Sequence, residues 1–238
     1  MQPQVRFVLP SFRNASTALA VAVVVASVFW RVAMGADVIL YLVPASVFAG
    51  QFWQLVTWLP ASAPETGSVL FSALIIWSTG GSLELMWGKP RFLRFVFITT
   101  FLAGLLTLAT ALVIAGAAGM PYFGGNIMSA AVWVGYGCAI WDRQTNIFGY
   151  PVTGRTFAML GVLLLSLNAV FSSWYLLIAE AWALAITFAY ARFGFPSEFI
   201  VRFRSWQLER DLKKRSSHLK GIDGGRRNVG GDSDKYMH

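Results

Sequence analysis

Few residues in this chain could do chemistry, and those that could lie in two apolar stretches. The first, 120–141, reads MPYFGGNIMSAAVWVGYGCAIW: a Pro/Gly-rich entry, then an apolar segment carrying Asn126, Ser129 and Cys138. The second is the last long apolar run, which holds one carboxylate, Glu180. A serine hydroxyl is a weak nucleophile near neutral pH unless a base takes its proton. Chemistry at Ser129 would therefore need an imidazole or a carboxylate beside it. The two histidines, His218 and His238, both lie in the polar tail, so the apolar region has no histidine base and no histidine metal ligand. The lone cysteine, Cys138, excludes a disulfide framework and a Cys-based metal cluster, and mid-helix its expected role is packing. No metal and no cofactor is expected. A carboxylate at membrane depth is expensive and by default marks function. Glu180 therefore has two readings: a polar group facing a cavity, or a group near the outer end of a short span, hydrogen-bonded to Asn168, Ser172 or Ser173.

The elements that must position these groups belong to a membrane. Of 238 residues, 56% are hydrophobic and 13% charged, where a soluble domain carries about 25% charge. The expected class is an all-α polytopic membrane protein. A bilayer span needs about 20 apolar residues. Six candidates follow at 15–33, 67–87, 92–115, 123–141, 156–170 and 174–190. The stretch 38–60 is apolar but broken by Pro44, Gly50 and Pro60, with Phe52, Trp53 and Trp58 among it. It reads as an irregular interfacial loop after the first helix, since Trp favours the headgroup level and irregular backbone at depth must be buried in protein. Arg6 and Arg13 precede the first apolar run, but no small-residue cleavage site leads into a polar chain, so that run is expected to stay as a span.

Six spans put both termini on one side. All of the 19 Lys and Arg except Arg31 fall on that side, and the short loops alone give the same sign. Both termini are therefore expected in the cytoplasm. Topology accounts for the +8 net charge, so no nucleic-acid partner is expected. Short loops and Ala-rich spans suit a bacterial inner membrane.

The domain expectation is a six-helix membrane domain over 1–194, a basic amphipathic helix over 195–220 and a disordered polar tail over 221–238. In the second part Phe199, Phe203 and Trp206 form a stripe amid Arg202, Arg204, Lys213, Lys214 and Arg215. That helix could lie on anionic lipid, or it is a solvated extension. The tail, GIDGGRRNVGGDSDKYMH, is Gly-rich and polar.

Three motifs carry a resemblance over most of the first 190 residues. They are Gly50-Gln51-Phe52-Trp53-Gln54-Leu55, the run Trp77-Ser78-Thr79-Gly80-Gly81-Ser82-Leu83-Glu84 on through Gly88 to Arg91, and Pro121-Tyr122-Phe123-Gly124-Gly125. Together they resemble the rhomboid superfamily of intramembrane serine proteases. Gln54 stands where that family has the arginine of a Trp-Arg motif. The Glu84 motif position implies a structural partner, with Lys89 or Arg91 expected. The segment 147–155 looks like the Pro-containing connector of non-proteolytic rhomboid-like proteins.

The resemblance implies a rhomboid-like six-helix bundle and tells which positions would be catalytic. The family's serine follows a Gly-Gly pair by two residues, which falls on Ile127; Gly135-Tyr136 keeps the same register. A two-residue slip would put Ser129 there instead. The family's paired His and Asn on the second span fall on Ser68 and Ser72. Its histidine on the sixth span falls within Ala181-Trp182 or Ala179-Glu180. The repeat Ala181, Ala185, Ala189 is a small-residue face for close packing and favours Trp182. Base, oxyanion donors and nucleophile would then all be replaced. The expectation is a pseudoprotease that binds transmembrane segments of client membrane proteins without cleaving them. Its expected cavity comprises Ser68, Ser72, Gly125, Asn126, Ile127, Ser129, Glu180 and Trp182, set in the lipid bilayer. Asn126 and Ser129 could instead simply cap or hydrogen-bond the start of their helix. The alternative function is a divergent intramembrane serine protease using Ser129. A permease is disfavoured by the absence of paired half-helix repeats.

Overall fold

The computed structural model describes residues 14–33, 40–147, 150–193 and 210, with the side chains of residues 66, 146, 147 and 168–172 excepted. The expected amphipathic helix and polar tail lie outside the described residues, save Arg210, which is helical. The chain divides into two compact units, 1–193 and 194–238, and the first contains all the other described elements.

Among the described residues the first unit has nine helices and one hairpin. They are α1 Ala15–Ala33, α2 Pro44–Phe48, α3 Gln54–Thr57, α4 Thr66–Trp87, α5 Lys89–Val113, α6 Ala115–Ala118, α7 Gly124–Ala139, β1 Gln144–Ile147, β2 Tyr150–Thr153, α8 Gly154–Ser172 and α9 Leu176–Phe193. Four helices are long and apolar enough to cross a bilayer: those over Ala15–Val32, Gly67–Trp87, Lys89–Val113 and Leu176–Phe193. Large apolar side chains such as Val25, Phe29, Leu74 and Val113 lie exposed on them. The chain is an integral membrane protein of all-α class, with the small hairpin as its one sheet among the described residues.

The helix ends follow local chemistry. Between α4 and α5, Gly88 takes φ +80°, a conformation that side chains with a Cβ rarely adopt, and Pro90 sits in the first turn of α5. Thr153 caps α8 by accepting the Thr156 N–H at 3.4 Å. The hairpin pairs Gln144 with Thr153 and Asn146 with Pro151, antiparallel. Within the expected connector, 147–155, the structure thus has the end of a hairpin and the start of α8; Phe148 and Gly149 lie outside the described residues.

Helix α7 is the centre. It packs against α4, α5, α8 and α9, while α1 lies on α4 and α5 on α9. At 16 residues it is short for a span, yet most of it is buried in protein. Its glycines allow this. A Cβ on Gly135 would lie 2.9 Å from the Phe95 ring of α5, and one on Gly137 would lie 2.8 Å from Ala158 of α8.

The stretch 40–65 folds back into the bundle. Leu42 and Tyr122 exchange both backbone hydrogen bonds, at 3.0 and 2.8 Å. Trp58 is buried and its indole lies against Gly104 of α5. Phe52 and Trp53 stay exposed. Gln54 is fully buried: its carbonyl accepts the Val43 N–H at 2.9 Å and its amide donates to Gln51 at 2.8 Å.

The Glu84 carboxylate takes the N–H groups of Ala15 and Ser16, at 2.9 and 2.8 Å, partners that lie far along the chain from it. The first amides of a helix have no partner within it, and an anion there also meets the positive end of the helix dipole. Glu84 therefore fastens the start of α1 to the end of α4.

Candidate functional site

The site begins where α7 begins. Its first amides are met by loop carbonyls: Gly124 N–H donates to Trp58 O at 3.1 Å and Gly125 N–H to Ala61 O at 2.8 Å. The approach is so close that a Cβ on Gly124 would lie 2.5 Å from the Trp58 oxygen. This is the physical reason for a glycine at 124.

Asn126, one residue on, joins three segments. Its side-chain oxygen accepts Ser62 Oγ–H at 2.5 Å and Ala63 N–H at 3.1 Å. Its amide donates to Ser68 Oγ at 2.8 Å. Ser62 is also fixed from behind, its N–H donating to Ser27 Oγ of α1 at 3.1 Å. Asn126 thus holds the 61–63 loop and the start of α4 against α7. The N-cap of α7 is Phe123, with no side-chain cap, and Ser129 hydrogen-bonds the start of the helix instead, at the Asn126 carbonyl.

Ser129 is one turn further in. Its hydroxyl donates to the Asn126 carbonyl at 2.7 Å and stands 3.4 Å from Ser72 Oγ. A cavity of about 430 Å³ opens beside it, lined by Ser68, Ser72, Asn126, Ser129 and Glu180, with Glu65 at one end. Its apolar walls include Phe71 of α4, Trp133 of α7 and Leu164 of α8. Trp133 stacks on Phe157 at 5.2 Å and donates its indole N–H to the Phe157 carbonyl. Gly161 lets it lie flat on α8, since a Cβ there would come within 2.6 Å of the indole. A second cavity of about 300 Å³ shares Glu65, Ser68, Asn126 and Glu180 and extends past Ile127 to Tyr122 and Leu176. Burial pushes the Tyr122 phenol, in the loop before α7, up to about 12, so it stays a neutral hydroxyl there.

The structure brings Ser68, Ser72, Asn126, Ser129 and Glu180 to one cavity and leaves three expected residues away from it. Gly125 faces the 61–63 loop. Ile127 is buried in an apolar cluster with Trp58, Tyr122, Ala179 and Ala183 and touches only the smaller cavity. Trp182 lines neither cavity; it is 37% exposed and donates its indole N–H to Thr110 Oγ1 of α5 at 2.9 Å. The reason lies in which face of α9 packs inward. Ala179, Ala183 and Thr187 are buried, whereas Ala181, Ala185 and Ala189 are exposed. The small-residue repeat chosen from the sequence faces outward, so Glu180 points inward in place of Trp182.

Glu180 is 9% exposed, and its Oε2 is buried with no hydrogen-bond partner among the described residues. Ser173 is not that partner: its hydroxyl points to the Met120 sulfur at 3.9 Å. The Asn168 and Ser172 side chains lie outside the described residues. Ser62 and Glu65 were missed by the sequence reading. Nothing in the segment Ala61-Ser62-Ala63-Pro64-Glu65 marks Ser62 as a hub.

Among the described residues no group of three His, Cys, Asp or Glu converges as a metal ligand set. No protein-family model matches the chain, and no curated protein matches it. What the arrangement offers is a polar, acidic recess in an otherwise apolar bundle.

Proposed function

We propose that this chain is a rhomboid-like pseudoprotease that binds transmembrane segments of client membrane proteins without cutting them. The observation that carries the reading is the cavity itself. Its lining includes polar groups, yet Phe71 and Leu164 in the same lining are exposed. A guest whose body lies in lipid could thus reach Ser68, Ser129 and Glu180 from the side. In this reading α1, α4, α5, α7, α8 and α9 are six spans, and α4 and α8 flank the lateral opening. The charge distribution puts both termini in the cytoplasm, and a bacterial inner membrane is the setting proposed.

Three features support the loss of proteolysis. No histidine occurs before residue 218. The Ser129 hydroxyl has the Asn126 carbonyl and Ser72 Oγ as its acceptors, and that serine has no base hydrogen-bonded to it among the described residues. The Gly124 and Gly125 amides, at the start of the helix, are spent on the loop carbonyls of Trp58 and Ala61, so they have no hydrogen to offer an oxyanion. Glu180, facing inward, is the better match for the family's histidine position.

A second reading, a divergent protease using Ser129, is favoured by Ser129 and Glu180 lining one cavity. Labelling by a fluorophosphonate probe separates the two. Purified, reconstituted protein is expected to remain unlabelled while an active rhomboid labels in parallel. Labelling that disappears in Ser129→Ala would overturn the pseudoprotease reading. Photocrosslinking from position 71 or 164 tests the binding role: the expected adducts are membrane proteins of the host, crosslinked through their transmembrane segments, and lipid-only adducts would count against it.

A further inference from the structure

The cavity's charge is one-sided, and that selects its guest. Among the described residues Glu180 Oε2 is buried without a hydrogen-bond partner. Glu65 lines the same space, and among the described residues no Lys or Arg does. Arg31 spends Nη1 on the Pro64 carbonyl at 2.6 Å and lines neither cavity. The other polar groups are neutral: Ser68, Ser72, Asn126 and Ser129. A buried carboxylate left unpaired is costly, and an opposite charge with matching donors offsets that cost. The hydroxyl oxygens of Ser68, Ser72 and Ser129 each have lone pairs to offer, so an ammonium with three N–H donors finds acceptors beside its counter-ion. The guest's remaining surface must be apolar, because the walls are Phe71, Trp133 and Leu164. A basic side chain in a membrane-crossing helix has that combination, and in lipid it gains most from a buried partner.

We propose that the cavity takes the basic side chain of a client transmembrane helix, with Glu180 as its counter-ion. This rests on the client-binding reading above and narrows it to one class of client. Three-sided selection follows: an apolar helix is held weakly, a helix with a buried basic residue strongly, and an acidic one is refused.

The test uses the full chain in phosphatidylcholine vesicles, which lack primary amines. Its probes are apolar helical peptides of about 20 residues, with lysine or leucine at the depth of Glu180. Binding is read by energy transfer from protein to labelled peptide. The lysine peptide is expected to bind about tenfold more tightly or better. Glu180→Gln should erase that ratio by weakening the lysine peptide, and an unchanged helical circular-dichroism spectrum and melting midpoint report that the variant is folded. Glu180→Asp, which keeps the charge, should retain the preference. Equal binding of the two peptides overturns the proposal but leaves client binding standing, as does a preference that survives Glu180→Gln or an Asp variant that behaves like Gln. If neither peptide binds, both the proposal and the client-binding reading fall. A preference that disappears when phosphatidylethanolamine is added would assign the site to a lipid ammonium and overturn the assignment to a client side chain.

Discussion

The carboxylate of Glu84, in the penultimate turn of α4, accepts the N–H of Ser16 at the start of α1, across 68 residues of sequence. Its other oxygen takes the adjacent Ala15 N–H. Both bonds are buried, and charge-assisted bonds of this kind contribute more than neutral ones. Glu84→Ala is expected to destabilise the protein by about 1.5–3 kcal/mol. Glu84→Gln should cost less, because an amide oxygen can still accept one of the two bonds. Unfolding midpoints in a mixed-micelle denaturant series check the order. A wild-type-like Glu84→Ala would show that α1 does not depend on this cap.

Gly124 and Gly125 differ in how much room they have. A Cβ at 124 meets two backbone oxygens inside 2.7 Å, whereas at 125 the nearest atom is 3.2 Å away. Backbone cannot swing aside as a flexible side chain can. Gly124→Ala is therefore expected to cost about 1–3 kcal/mol and to shift the 58–63 loop, with Gly125→Ala clearly milder. Thermal melts of the two variants side by side give the comparison, and equal losses would contradict it.

Asn126 carries three hydrogen bonds to two segments. Asn126→Ala leaves the Ala63 N–H without its partner, with an expected loss of about 1–3 kcal/mol. The 61–63 loop should then become open to hydrogen exchange, since it loses both its clamp and its cover. Exchange protection at Ser62 and Ala63 is the measurement. Unchanged protection there would mean the loop is held by other contacts.

Trp182 and Glu180 are two residues apart but face different surroundings. Trp182→Phe removes one hydrogen bond to Thr110 and is expected to cost about 0.6 kcal/mol. It should leave peptide binding at the cavity untouched. Glu180→Gln should do the reverse, changing selectivity with little change in stability. The crossed pattern, read by melting temperature and peptide affinity in both variants, separates packing from recognition.

Much of this protein was legible without coordinates. Apolar runs gave α1, α4, α5, α7, α8 and α9 as helices, because a chain in lipid must satisfy its backbone within each segment, whereas the short α2, α3 and α6 and the hairpin carry no such signal. Glu180 stood out as a carboxylate at membrane depth. Tertiary structure decided the rest. The sequence of α9 offers two faces of small residues, Ala179-Ala183-Thr187 and Ala181-Ala185-Ala189, and only packing against α5 and α7 selects the first. That choice, a rotation of two residues, turns Glu180 inward and Trp182 out. Ser62 became a hub for the same reason that Glu84 found Ser16: their partners lie far along the chain, and such hydrogen bonds leave no local pattern to read.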